Sequence, residues 1–183
     1  MKARKLSLEE LDRLEVADFK TGKKTPVVVV LEDIRSALNV GSFFRTCDAL
    51  AIDHLYLCGI TAKPPHKEIF KTAIGATESV SWSYHESVTN LIDNISTEHL
   101  IISVEQTDNS VSLDNIEELN WDESKKLCLI FGNEVKGVST SSIVKSDHCL
   151  EIPQFGTKHS FNVAVCGGIV LWECWKWAKS VSK

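Results

Sequence analysis

The chain has 183 residues, 43% of them apolar, which suits a single domain around one core. Its formal net charge of -5 excludes a uniformly basic nucleic-acid binder. The opening Met1-Lys2-Ala3-Arg4-Lys5 carries no secretory leader pattern, and the longest apolar run, Phe161 to Trp172, is broken by Asn162 and two glycines and is too short to span a bilayer.

The charge is unevenly placed. Between Glu86 and Glu123 there are ten acidic residues and no Lys or Arg, so the rest of the chain carries a surplus of +5. The acidic stretch is expected to form a face turned away from a polyanionic partner; an acidic enzyme with a small anionic substrate also fits these numbers. The six cysteines (47, 58, 128, 149, 166, 174) form no CxxC pair, and several fall within apolar segments. They read as reduced, buried thiols of a cytoplasmic protein, with neither zinc nor disulfides.

In chain order, residues 1–24 read as an N-terminal helical arm and 25–183 as the main domain. In the arm Leu6, Leu8, Leu11 and Leu14 recur at spacings of two and three, and Ser7 with Glu10 forms a capping-box pattern. Lys20, Lys23 and Lys24 make a basic linker around Gly22. Val27 to Leu31 suits a strand buried on both faces, and helix-forming sequence follows from Asn39 to Leu50. His54 to Cys58 is the next strand. Pro64-Pro65 is then expected to open a helix carrying Lys63, Lys67 and Lys71 on one face, as a phosphate rail or a solubilising face.

Ser79 to Tyr84, Leu100 to Val104, Leu127 to Phe131 and His148 to Ile152 complete the strands. A helix begins near Asn162 and ends in Trp172, Trp175 and Trp177, more aromatic surface than a solvent-facing tail usually carries. Strands alternating with helices define an α/β fold with an open, mostly parallel sheet flanked by helices, and ligands bind such sheets at the carboxyl ends of the strands.

Familiar ligand signatures are missing. No GxGxxG follows a strand, the Gly132 and Gly137 spacing lacks the Lys-Ser or Lys-Thr of a phosphate loop, no GxSxG elbow activates Ser160, and the six histidines lack metal-ligand spacing. What remains are three glycine-bearing polar turns at strand ends: LEDIRSALNVGSFFRTCDAL (Leu31 to Leu50), LIFGNEVKGVS (Leu129 to Ser139) and LEIPQFGTKHSFNVAVCGGIVLWE (Leu150 to Glu173). The last empties into a helix N-terminus, whose unpaired amides favour anionic or hydrogen-bonding groups.

These three segments, in this order, resemble the signature motifs of the SpoU-type (TrmH-like) branch of the SPOUT methyltransferases, which methylate RNA ribose 2'-hydroxyls. The resemblance runs from about Pro26 to the C-terminus. It implies a C-terminal trefoil knot, S-adenosyl-L-methionine as cofactor, a homodimer, RNA as substrate and no metal. Matching position by position, the family's catalytic group would be Asn39 and Arg45 (first motif), Glu134 (second) and Ser160 with Asn162 (third). Its cofactor-binding backbone maps to the region of Val104, Gly132, Ile152 and Phe161.

In the family the arginine is thought to help deprotonate the hydroxyl across the dimer interface. A guanidinium, which keeps its proton far above neutral pH, favours instead a cation that grips phosphate and stabilises the alkoxide. No added RNA-binding domain precedes Pro26, which leans toward tRNA ahead of ribosomal RNA. Two alternatives stay open at this point: a catalytically silent RNA-binding protein on the same fold, and an RNA base methyltransferase.

Overall fold

The computed structural model describes residues 3–7 and 9–181. Seven strands form one parallel sheet: β1 (Thr25–Glu32), β2 (Ile52–Cys58), β3 (Trp82–His85), β4 (His99–Val104), β5 (Val111–Ser112), β6 (Lys126–Phe131) and β7 (His148–Glu151). Their spatial order is β3-β2-β1-β6-β4-β7-β5. Among the described residues seven α-helices flank it: α1 (Val16–Thr21), α2 (Ala37–Ala49), α3 (Lys67–Ala73), α4 (Ala76–Ser79), α5 (Val88–Ile95), α6 (Thr140–Lys145) and α7 (Val163–Val181), with α1 resting on α4.

The valine run makes β1 the centre of two cores. Val27, Val29 and Leu31 point into the larger one with Phe43, Phe44, Phe131 and the inner face of α7, while Val28 and Val30 point the other way onto Leu91, Ile92 and Ile130. A strand that alternates between two dry faces needs apolar residues at every position, hence a continuous run. The helix α7 leaves the β7 side of the sheet and returns against α2 and β1.

Close approach on that side rests on two glycines. A methyl group at Gly41 would lie 2.3 Å from the Ile69 carbonyl oxygen of α3, and one at Gly167 would lie 2.3 Å from the Phe43 ring.

Several elements depart from the sequence expectations. The capping box is present, with the Glu10 amide donating to Ser7 Oγ at 3.3 Å and the Ser7 amide donating to Glu10 at 2.8 Å, but it closes only a 3-10 turn at Glu9–Leu11. Arg4 pairs with the same carboxylate and holds Glu10 down to about 2. Leu8, part of the leucine pattern, lies outside the described residues; Leu6, Leu11 and Leu14 are exposed, so the pattern marks no packed face.

Helix α2 starts at Ala37 and is capped by Ser36, whose Oγ accepts the Asn39 amide at 3.3 Å. The lysine rail does not form. Helix α3 begins at Lys67 with His66 as its cap, and Lys63 precedes it with its ammonium over the Tyr84 ring at 3.7 Å. Ser79 closes α4 and does not open a strand, β3 starting at Trp82. The acidic stretch also covers more than one face: α5 packs on the Val28 and Val30 side, whereas the 3-10 turn Leu113–Leu119 packs on the other.

Among the described residues all six cysteines are free thiols, five of them buried. No group of three or more His, Cys, Asp or Glu gathers to hold a metal, and no helix is long and apolar enough to cross a membrane, again among the described residues.

Candidate active site

With β6 inserted between β1 and β4, the loops that leave β4, β6 and β7 open at one end of the sheet, beside the loop after β1. Between them lies a cleft of about 690 Å³ lined by Val104, Glu105, Gly132, Glu134, Ile152, Ser160, Phe161 and Asn162, among others. This is the carboxyl-end position at which parallel sheets bind ligands.

The β6 loop is folded tightly on itself. Asn133 Oδ1 accepts the Val135 and Lys136 amides at 3.0 and 3.1 Å, its Nδ2 donates to the Asp33 carbonyl at 2.7 Å, and its carbonyl accepts the Gly137 amide at 2.8 Å. Gly137 has a φ of +70°, a conformation that side chains disfavour. Gly132 faces the returning chain so closely that a methyl group there would lie 2.1 Å from the Val138 nitrogen.

Two carboxylates hold this loop from outside. Glu105 accepts the Val138 amide at 2.9 Å and the Gln106 amide at 3.0 Å. Glu32, buried at the end of β1, accepts the Ser139 amide at 3.2 Å and the Ser142 hydroxyl at 3.0 Å.

The loop then projects Glu134 across to the first segment. Its carboxylate accepts the Arg35 amide at 2.9 Å, the Ser36 amide at 3.0 Å and the Asn39 side-chain amide at 3.0 Å. Burial works against its charge, but the amides of Arg35, of Glu134 itself and of Ser36, together with Asn39, outweigh it and hold the carboxyl below the usual glutamate range.

Asn39 passes the constraint on, its Oδ1 accepting Asn162 Nδ2 at 3.2 Å. Asn162 in turn caps α7, with Oδ1 accepting the Ala164 and Val165 amides at 3.0 and 3.3 Å. One continuous hydrogen-bonded chain, Glu134 to Asn39 to Asn162, thus ties the three motif segments together. Ser160, exposed in the loop before α7, lines the cleft beside it. Cys166, one turn into α7, also lines the cleft, and burial with Glu105 nearby pushes its thiol up to about 11, so it is no nucleophile.

Of the nine residues expected at the site, eight lie on or beside this cleft, seven lining it and Asn39 just behind. Arg45 does not join them. It sits six residues beyond Asn39, about 9 Å along the helix axis. There it lines a separate groove with Thr72 of α3, Gly168 and Trp172 of α7. Sequence reasoning passed over Glu32, Ser36 and the supporting role of Glu105. The first of two adjacent carboxylates, Glu32 and Asp33, closing the valine run was the available signal for Glu32.

The architecture and the cleft define a class, an open parallel α/β protein whose ligand site is built from the loops after β4, β6 and β7. Residues 26–172 match the family model described as the SpoU rRNA Methylase family, and the chain belongs to that family.

The chain is 28% identical over 154 residues to the tRNA (guanosine(18)-2'-O)-methyltransferase of Aquifex aeolicus, covering 82% of this chain and 69% of that protein. Its 28% identity over 164 residues to the Saccharomyces cerevisiae protein of the same name covers 88% of this chain but only 11% of the yeast protein. Among solved structures, the A. aeolicus TrmH/SpoU tRNA modifying enzyme shares the fold with a TM-score of 0.78 at 21% identity, over 91% of this chain and 82% of that one. The SpoU methyltransferase AviRb from Streptomyces viridochromogenes, in complex with the cofactor AdoMet, gives 0.75 at 20% identity, over 89% and 64%.

Proposed function

We propose that this chain is an RNA ribose 2'-O-methyltransferase that uses S-adenosyl-L-methionine, with tRNA ahead of ribosomal RNA as substrate, in the cytoplasm. The observation that carries this reading is the Glu134, Asn39, Asn162 hydrogen-bonded chain at the rim of the cleft. It uses a charged carboxylate, below its ordinary pKa, to fix two amides, of which Asn162 lines the cleft.

The cleft suits the cofactor. Its walls are backbone-rich around Gly132, where no side chain fits, and they carry Glu105, Glu134 and Glu151, which favour a cationic sulfonium over a free anion. The region of Val104, Gly132, Ile152 and Phe161 would hold it. Bound there, it supplies an electrophilic methyl group, so this chain has only to align the acceptor, exclude water and manage one proton.

In this reading Ser160 and Asn162 donate hydrogen bonds that orient the ribose. Arg45 grips the neighbouring phosphate and stabilises the 2'-alkoxide as it forms, since a guanidinium holds its proton too firmly to serve as a base. Because Arg45 lies outside its own chain's cleft, it serves the cleft of a second copy, and the molecule works as a homodimer. Leu38, Val165 and Trp172, each more than 40% exposed on α2 and α7, supply apolar surface for that contact. The return of α7 from β7 onto α2 and β1 is read as part of a trefoil knot, with residues 1–24 as an N-terminal arm, its α1 resting on α4, ahead of the 25–183 domain.

The test incubates the protein with methyl-tritiated cofactor and unmodified tRNA or ribosomal RNA, followed by digestion to nucleosides. Label in a 2'-O-methylnucleoside is the expected result. Label in a base, or no incorporation while the cofactor still binds, overturns the proposal in favour of base methylation or a silent RNA-binding role.

A further inference from the structure

Helix α5 runs from β3 over the centre of the sheet and leaves the outer part of that face, on β2 and β3, half open. Three aromatic rings and a hydroxyl stand there: His54 and Tyr56 of β2, Ser83 and His85 of β3. Parallel pairing sets Tyr56 opposite Ser83 and Cys58 opposite His85, so the four polar side chains share one face.

Both imidazoles converge on one atom. His54 Nε2 lies 2.9 Å and His85 Nε2 3.1 Å from Ser83 Oγ. A hydroxyl has one proton and can donate to only one of them, so the other ring must donate to it, and neither ring is held by a charge. Tyr56 packs between them, its ring centroid 4.3 Å from that of His54 and 5.4 Å from that of His85, which limits their rotation.

We propose that His54 and His85 bind one divalent late-transition ion, Zn2+ foremost, in exchange for their hydrogen bonds to the Ser83 hydroxyl, and that the ion staples the edge strand β3 to β2. Neutral imidazole nitrogens at a shared point suit Zn2+, with bonds of about 2.0–2.1 Å, better than Mg2+ or Ca2+, which take oxygen. The remaining positions fall to water, because no third His, Cys, Asp or Glu joins the cluster among the described residues. A four-residue strand at the sheet edge, with a single neighbour, gains most from such a link. The cluster is separate from the cleft, and this inference holds whether or not the chain methylates RNA.

The experiment uses the full chain, stripped with chelator and titrated with ZnCl2 by calorimetry. One Zn2+ per chain is expected, with affinity falling at least about tenfold in His54→Gln and in His85→Gln and lost in the double variant. His66→Gln and His148→Gln are expected to bind as the parent does. Zinc binding that survives in the double variant, or no binding to the parent, overturns the site.

A second measurement needs no variant: Cu2+ added below one equivalent is expected to give an electron paramagnetic resonance spectrum with two imidazole nitrogens on the metal, and a one-nitrogen or all-oxygen spectrum overturns the pairing. Zinc at a hundredfold excess over its dissociation constant is expected to raise the melting temperature by about 5 to 10 °C, and an unchanged value removes the staple.

Discussion

At the scale of single residues, Glu134 is the most consequential side chain. Glu134→Ala leaves the Arg35 and Ser36 amides and the Asn39 side chain without their acceptor. Partial exposure lets water replace some of these bonds, so the expected loss is about 1–3 kcal/mol in chemical denaturation, with methyl transfer falling further because Asn162 loses its support. Its titration gives a sharper test. The folded pKa lies below the ordinary glutamate range, so the charged form is the one that stabilises. That contribution is complete above the unfolded pKa and disappears as pH drops through the folded one. The stability advantage of the parent over Glu134→Gln, whose side chain resembles the protonated acid, should therefore be full at neutral pH and shrink as pH falls below about 4.5. An advantage constant from pH 7 to pH 3 would show that the carboxylate charge plays no part.

Much at this scale was legible, because the motif residues act through their side chains: Asn39, Glu134 and Asn162 meet as three polar groups at three strand ends should. The Glu134 partner was not. Proximity across nearly a hundred residues of sequence depends on where β6 inserts in the sheet, which no local pattern encodes. The start of α2 also differs, at Ala37 and not Asn39, since Ser36 and Asn39 are both good cap formers and only the backbone decides between them.

At the scale of elements, two glycines govern how closely segments approach. In Gly132→Ala the new methyl group meets backbone atoms on the other side of the β6 loop, with no flexible side chain to give way. The loop must open, and with it the wall offered to the cofactor. A loss of about 1–3 kcal/mol in stability is expected, together with weaker cofactor binding by calorimetry. Gly167→Ala strikes elsewhere: its methyl group meets the Phe43 ring, which is itself buried against Phe131 with centroids 5.1 Å apart. Separation of α2 from α7 should then cost a similar amount in denaturation. Unchanged stability in this variant would mean that the two helices tolerate a wider spacing.

The central strands β1, β4 and β6 were readable because their apolar runs between turns survive any register. What was missed is short. The two-residue β5 and the four-residue α4 are too brief for a period to show, and the supposed lysine rail counted Lys63 as helical although α3 begins four residues later. The tryptophans divide by depth: Trp177 packs inward against Trp121 with centroids 5.2 Å apart, while Trp172 and Trp175 stack near the surface with centroids 5.0 Å apart.

At the scale of the whole molecule, the position of Arg45 poses the decisive question. The cleft holds Asn162 and the backbone around Gly132, whereas Arg45 faces a groove beside Trp172 on the same chain. If the working unit is a dimer with Arg45 reaching into the opposite cleft, two dead variants can rescue each other. Arg45→Ala and Asn162→Ala are each expected to lose nearly all methyl transfer. Mixed after reversible dissociation, they form hybrids in which one cleft has an intact Asn162 and receives an intact Arg45 from its neighbour, while the other cleft lacks both. Half of a random mixture is hybrid, and half the clefts in each hybrid work, so activity should return to about a quarter of the parent value. An arginine acting within its own chain gives the opposite arithmetic: each chain of the hybrid keeps its own lesion, and mixing restores nothing. Sedimentation of the Trp172→Asp variant, expected to run as a monomer and to lose methyl transfer with its cofactor affinity reduced by less than its rate, separates loss of the shared site from loss of the fold.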